Sequence, residues 1–500
     1  MRFQPMRYIA ILCMVAFMGT SFYGCSKQGA TTKTGTADTT ATLTVWRSQD
    51  SSDAFEELIK NYQQDHKGVT INYVYKQEWK DNPSLYLQET IDALATGKGP
   101  DIWSVRNDWL SAQYQKTIPV GDGALASSGY IKDIKAEGKS NADIVKSIFV
   151  PSVSDDAVFG GKVYGLPLFS DSMALYVNKT IMEKAAEELS SSNKVSNALL
   201  PKDVTAIKKI LTNGPKDWTE LVKVVPYLTV TQGKTITRSA VALGLGENVE
   251  QASNIISSLM LQNGTRIISP DKLSTYFQNA QTTSTGESVY SGRAAIDFYT
   301  MFAVPKSSVY TWNRDFATSA RQAFLDNKLA MLVDDSQFYS TIKSSEAKYS
   351  FEVIPLPQLS VENPRTYASY WLETVTSNSK NSKQAWDFLA YATTNGSNAQ
   401  AYLSNTKKAS ALLSKTEDFH TDATGLGVFK AQARIAQSWY KGPQPNTADK
   451  IMSQWADNIV INGKTDVEAT SVASSQLTTL LQSASPPPTA SDATTTTTTK

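Results

Sequence analysis

The apolar positions of this chain change period several times, and each change predicts an element. Leu43-Thr-Val-Trp46 has the alternation of a short strand, and Ser51 or Ser52 can cap the helix behind it. That helix carries Phe55, Leu58, Ile59 and Tyr62 at the i, i+3, i+4, i+7 spacing of one buried face. Gly68 stops it, and Val69 to Tyr75 alternates as a second strand. A helix from about Pro83 to Ala95 puts Leu85, Leu87, Ile91 and Leu94 on one side; Gly97 and Gly99-Pro100 end it, and Asp101 to Val105 gives a third strand. Strand–helix alternation at this pitch predicts a parallel sheet with helices on its faces. Ligands of such sheets bind beyond the C-terminal ends of the strands, which singles out Arg47 to Asp50 and Arg106 to Asp108.

From Pro119 to Phe159 the pattern weakens into helices broken by Gly and Ser, the expectation for a surface insertion. Periodicity returns at Lys162 to Pro167 and at Ala174 to Asn178, followed by a helix. Further on, Trp218 to Tyr227 and Val249 to Leu261 are helical, and Ala240 to Leu245, Leu329 to Val333 and Phe351 to Leu356 are strands. A last helical region runs from about Ala431 to Leu481, and no internal repeat is visible.

The two ends differ from this body. Arg2 and Arg7 precede the apolar run Tyr8 to Met18, which is shorter than the ~17–20 residues a membrane span needs and has the charge pattern of an export signal. Residues 1–24 are therefore expected to be a signal peptide. Gly24-Cys25 just past the apolar run resembles a lipobox, which would make Cys25 the acylated first residue of a membrane-anchored protein. Phe22 and Tyr23 depart from that pattern, which prefers an aliphatic and then a small residue. Residues 25–42 hold little that could be buried and predict a disordered tether, and 483–500, with Pro486-Pro487-Pro488 and a threonine run, predict a solvated low-complexity tail.

Composition removes several classes of function. With 41% hydrophobic residues the chain can build large cores, and its formal charge of +1, without a basic block, gives no sign of nucleic acid. Only His66 and His420 are present, and a mature chain would keep Cys25 as its one thiol. Neither an intrachain disulfide nor a His- or Cys-built metal site is expected, and no cofactor motif appears.

Five segments, in order, resemble one family. Gly99-Pro-Asp-Ile102 is similar to its turn into the third strand, and Lys162-Val-Tyr-Gly-Leu-Pro167 with Leu175-Tyr-Val-Asn178 resembles its crossover. Phe324 to Met331, Ile354-Pro-Leu-Pro357 and Ser379 to Leu389 resemble three later elements, with Asn327 where Gly is usual. The family is that of family 1 extracellular solute-binding proteins of ABC importers, the maltose-binding-protein group. The resemblance implies an α/β, two-lobed periplasmic-binding-protein-like fold, its two domains joined by hinge crossings. One lobe would be 43–168 plus 372–424, the other 169–371 plus 425–482. It also implies a non-catalytic, monomeric receptor outside the cytoplasm, delivering a small molecule, in this group a mono- or oligosaccharide, to transmembrane permease subunits. The family's Gly-Gly before an apolar strand is replaced here by Ala368-Ser369-Tyr370-Trp371.

Sugars are held by flat aromatic faces and by planar polar groups that satisfy each hydroxyl, since an unpaired buried one costs ~1–3 kcal/mol. The candidate ligand residues are Arg47, Gln49 and Asp50 after the first strand, and Arg106, Asn107 and Asp108 after the third. Asp171 falls where the resemblance implies a ligand carboxylate; Asp334 and Asp335 close a later strand, and Trp312, Tyr370 and Trp371 are candidate platforms. Each has a plainer alternative as a cap, a surface charge or core packing. The rival class is an exported glycoside hydrolase, for which Asp334, Asp335 and Glu373 could supply the carboxylates. A peptide or another polar solute is the third. Carboxylates outnumbering cations in the cleft would argue against anions, and one platform or none would argue against sugars.

Overall fold

In the strand Ala41–Trp46, residues 41, 43 and 45 are buried and those between them are not, as alternation requires. The computed structural model describes residues 40–191, 201–282, 286–317, 319–416 and 426–488, with the backbone of 194–195 and 198–199. The signal-like segment, Cys25, most of the expected tether and 489–500 lie outside the described residues.

Ala41–Trp46 pairs in parallel with Val69–Val74 and with Ile102–Arg106. Trp371–Thr376 joins antiparallel to Ile102–Arg106, and Thr117–Ile118 completes a five-stranded sheet. A second five-stranded sheet runs Val230–Gln232, Thr235–Val241, Leu329–Asp334, Ala174–Asn178 and Phe351–Pro355. Each sheet has its own apolar core. Leu43, Trp103, Leu110, Leu372 and Leu389 belong to the first, and Leu175, Trp218, Leu332 and Trp455 to the second. The architecture is α/β and two-lobed.

The chain changes core between Phe169 and Met173 and again between Tyr367 and Ala368. These crossings run beside each other: Ser172 bridges Ala368, and Leu166 bridges Glu373. Short strands stack around them, with Phe169–Ser170 on Ala409–Ser410 and Thr366–Tyr367 on Ala436–Gln437. Tyr370 and Trp371, expected in the second lobe, pack in the first core.

Three further expectations are corrected. The helix Pro83–Ala95 buries Tyr86, Thr90 and Leu94 rather than a leucine stripe, and Leu85 is exposed. Tyr86 takes the inner position because its hydroxyl reaches the carbonyls of Trp46 and Ser104, at 2.9 and 2.8 Å. The region 119–159 is no surface insertion: Leu125, Ile144, Val145, Ile148 and Val153 are all buried in the first core. The tail is not wholly solvated either, since Pro487 is buried.

Candidate functional site

Both sheets end at a cavity of about 470 Å³, lined by groups from either core. From the first come Gln49, Pro83, Arg106 and Trp371; from the second, Gln251, Asn254, Arg321, Asp335, Asp449 and Lys450. Gln49 and Arg106 follow the first and third strands, where the strand-end rule places them.

Arg106 belongs to a cluster of four charges. It donates to Asp108 at 2.8 Å and lies 3.7 Å from Asp449. The ammonium of Lys441, fully buried, donates to Asp108 at 2.9 Å and to Asp449 at 2.6 Å. Burial works against ionisation of Asp108, yet Arg106 and Lys441 hold its carboxyl below the ordinary value. The guanidinium of Arg106 sits 5.2 Å from the ring of Trp109, which meets Trp371 edge-on at 5.6 Å. Trp371 thus reaches the cavity from a packed aromatic support.

The opposite wall is organised by Arg321, which donates from two nitrogens to Asp334, at 2.7 and 2.6 Å. Gln251 donates to Asp334 at 3.0 Å and to Asp335 at 3.2 Å, and receives a bond from Asn254 at 2.7 Å. The Oδ1 of Asn254 is buried without a protein partner. Asp335 caps the helix Ser336–Ser344 by accepting from the Gln337 amide at 3.1 Å. Burial, and then the neighbouring Asp334, push its carboxyl up to about 6.

Of the twelve residues expected at the site, the structure brings four to the cavity: Gln49, Arg106, Asp335 and Trp371. Asp108 and Asp334 stand directly behind it as the partners of Arg106 and Arg321. The others are taken up elsewhere. Arg47 is completely buried, paired with Glu373 and Asp50 and lying over Phe55 at 4.5 Å; Asp50 is held by Lys408 at 2.7 Å. Asp171 is a clamp on the first crossing, accepting from the Ser336 hydroxyl at 2.5 Å and from the Ser172 amide at 2.8 Å. Burial and Asp335 raise it well above the ordinary carboxylate value. Trp312 is buried in the second core, where Asn248 accepts its indole N–H at 2.9 Å, so it offers no platform. Asn107 and Tyr370 donate to the buried Asp156, at 3.0 and 2.7 Å, and do not line the cavity.

The glycosidase arrangement does not assemble from the residues named for it. Glu373 is spent on Arg47 inside the first core and Asp334 on Arg321, which leaves Asp335 as the one carboxyl of the three that lines the cavity. Among the described residues, no group of three or more His, Cys, Asp or Glu is placed to hold a metal ion. Gln251, Asn254, Arg321 and Asp449 escaped the sequence reading. Gln251 and Asn254 open the helix that follows Thr235–Val241, so the strand-end rule, carried to that strand, would have found them.

A two-domain α/β fold closing around a polar cavity at its crossings is that of a solute-binding protein. Residues 57–424 match the family described as bacterial extracellular solute-binding protein, and the chain belongs to that family. A binding protein of Brucella abortus (strain 2308) is 22% identical over 337 residues, 67% of this chain and 67% of its own. Among solved structures, the sugar-binding protein MalE of Xanthomonas citri superposes with a TM-score of 0.65 at 15% identity, covering 88% of this chain and 97% of its own. The cyclic α-maltosyl-1,6-maltose binding protein of Arthrobacter globiformis gives 0.65 at 16%, covering 89% and 100%. An ABC transporter solute binding protein of Thermotoga lettingae, bound with α-D-tagatose, gives 0.61 at 17%, covering 88% and 99%. At these identities the likeness is one of fold. Among the described residues no helix is long and apolar enough to cross a membrane.

The buried carboxyls give the fold a pH signature. Asp156 accepts from Ser438, Tyr370 and Asn107, and burial pushes it up to about 6, as for Asp335. A carboxyl with a folded value above its unfolded one near 3.8 binds protons better when folded. Its contribution is full below about 3.8 and is lost as pH rises through about 6. Asp156→Asn should flatten this fall and raise stability at pH 7, on the order of 1–3 kcal/mol. Denaturant titrations between pH 4 and 8 test it; an unchanged slope in the variant refutes the assignment.

Proposed function

We propose that the chain is the extracytoplasmic receptor of an ABC importer, binding a small sugar in the cleft and handing it to transmembrane permease subunits. The observation that carries this reading is the cavity itself. One supported ring, Trp371, faces planar hydrogen-bonding groups on Gln49, Arg106, Gln251, Asn254 and Asp335. Its volume lies within the ~300–1,000 Å³ of small-molecule sites. The solved relatives whose names mention sugars support the same class.

By the criterion set above the single ring counts against a sugar, and most of all against a long oligosaccharide, so the sugar reading leans on the planar polar groups of the lining. Recognition then rests on hydrogen bonds, which suits a ligand of one or two sugar rings. The lining carries three cations, Arg106, Arg321 and Lys450, and three carboxylates, Glu250, Asp335 and Asp449. Carboxylates equal the cations without outnumbering them, so the count does not argue against an anion; what favours a neutral solute is that Arg106 and Arg321 are already paired with Asp108 and Asp334.

Thermal melting against a panel of mono- and disaccharides tests the binding. A true ligand at 100 times its Kd adds about 2.7 kcal/mol of stability. Arg106→Ala and Trp371→Ala should each weaken binding roughly ten- to a hundred-fold. No sugar should be cleaved; cleavage that disappears in Asp335→Asn would put the hydrolase reading first.

The two cores are proposed to move as lobes, closing on the ligand about hinges at 168–172 and 367–374. Small-angle scattering should then show a smaller radius of gyration with the identified sugar, and no change would refute closure. We further propose that Cys25 is acylated and anchors the receptor at the membrane. Cys25→Ala should release it to the soluble fraction, and a variant that stays membrane-bound after signal removal contradicts the anchor.

A further inference from the structure

The last helix, Asp466–Leu481, belongs to the second core through Ala469, Ala473 and Leu477. The chain beyond it does not simply leave the surface. Pro487 is buried, and the carbonyl of Pro488 accepts the Gly160 N–H at 3.1 Å. Gly160 sits at the tip of the hairpin formed by Val158–Phe159 and Lys162–Val163, whose Phe159 and Val163 are buried in the first core. A Cβ at Gly160 would stand 3.4 Å from the Pro488 ring, so the proline rests against bare backbone. Beside this contact Phe159 packs with Tyr114 and Tyr164, ring centroids 5.7 and 5.6 Å apart.

We propose that Pro486-Pro487-Pro488 is a strap: a proline strand of this chain, seated on the first-core hairpin, that ties the second core's last helix to the first core. It would act as a link in addition to the covalent crossings, and it would favour the described orientation of the two walls of the cleft.

Three physical features suit the segment to this task. Consecutive prolines form a stiff, extended strand, so little conformational freedom is lost when they dock. Lacking N–H groups, they leave no unpaired donor when buried, and the one bond they make uses a carbonyl. The reach is also short. From Leu481 to Pro488 the chain spans about 25 Å at most, at ~3.3–3.6 Å per residue, so the docked strap limits how far its two anchors can separate. A contact made in one orientation and absent in another shifts the balance toward the first. This goes beyond the receptor reading and needs no knowledge of the solute.

The test uses no ligand and compares the full chain with chains ending at Pro488 and at Ser485. Amide hydrogen exchange is read at Gly160, and spin labels at Lys98 and Lys343, one on each core, report their separation. Ending at Pro488 should change neither reading. Ending at Ser485 should speed Gly160 exchange by at least about tenfold and broaden the separation. The pair Pro487→Gly and Pro488→Gly in the full chain should do the same, which guards against a folding defect of the truncation. Undiminished protection of Gly160 without the prolines overturns the docking. Lost protection with an unchanged separation overturns the strap, and lost protection in the chain ending at Pro488 overturns its assignment to these residues. Failure of every sugar to bind would leave each of these readings as it stands.

Discussion

A lysine with no exposure to solvent is tolerable only beside its countercharges, and Lys441 is such a lysine. Its ammonium lies between Asp108, which follows the third strand of the first sheet, and Asp449, on the helix Pro445–Val460 of the second core. Removing one partner from a buried pair typically costs ~3–5 kcal/mol, because the remaining charge stays buried. The segment from Ala436 to Lys441 is therefore held against both cores at once, and it carries Ser438 to Asp156 as it passes. Arg106 depends on the same arrangement. With Asp108 anchored by Lys441, the guanidinium has a fixed partner behind it and faces the cavity as part of its wall.

The cleft follows a general rule of this design, in which a residue that touches the cavity is positioned by one that does not. Arg106 rests on Asp108, Arg321 on Asp334, and Trp371 on Trp109. Arg106, Arg321 and Asp449 each have an opposite charge beside them in Asp108, Asp334 and Lys441, which lowers the cost of keeping them desolvated. A neutral ligand then needs only to replace the water in the cavity. An anion would have to compete with carboxylates already bound to the two arginines.

The sheets were legible because alternation and strand ends are local properties. The first and third strands could be placed from a few residues each, and Gln49 and Arg106 followed from the strand-end rule. What was hidden is partnership across long stretches of sequence. Whether an aspartate faces ligand or structure depends on a neighbour such as Lys408 for Asp50, which spacing does not reveal. Trp312 failed for the same reason: only the fold shows Asn248 waiting for its indole. The buried face of Pro83–Ala95 was misjudged because hydrophobicity favours leucine, whereas Tyr86 wins by pairing its hydroxyl with two carbonyls inside. Pro487 was misjudged through composition. A threonine- and proline-rich segment lacks the means to fold alone, yet prolines can still dock on a surface the rest of the chain has built.

The contacts between the two walls differ in what separating them would cost, and the difference bears on where a hinge can lie. Trp109 donates to Asn446 at 3.2 Å, and Asn446 to the exposed Ser84 at 3.0 Å. Neutral bonds with access to solvent can be exchanged for water at little net cost, typically ~1 kcal/mol each. The long contact between Arg106 and Asp449, both partly exposed, is also weak. Lys441 is different, because pulling Asp108 or Asp449 away would strand a buried charge. Any rotation of the proposed lobes must therefore spare Lys441 and spend the weaker bonds. The hinges proposed at 168–172 and 367–374 meet that condition only if closure leaves the Lys441 pairs intact while the bonds among Ser84, Trp109 and Asn446 are exchanged for water.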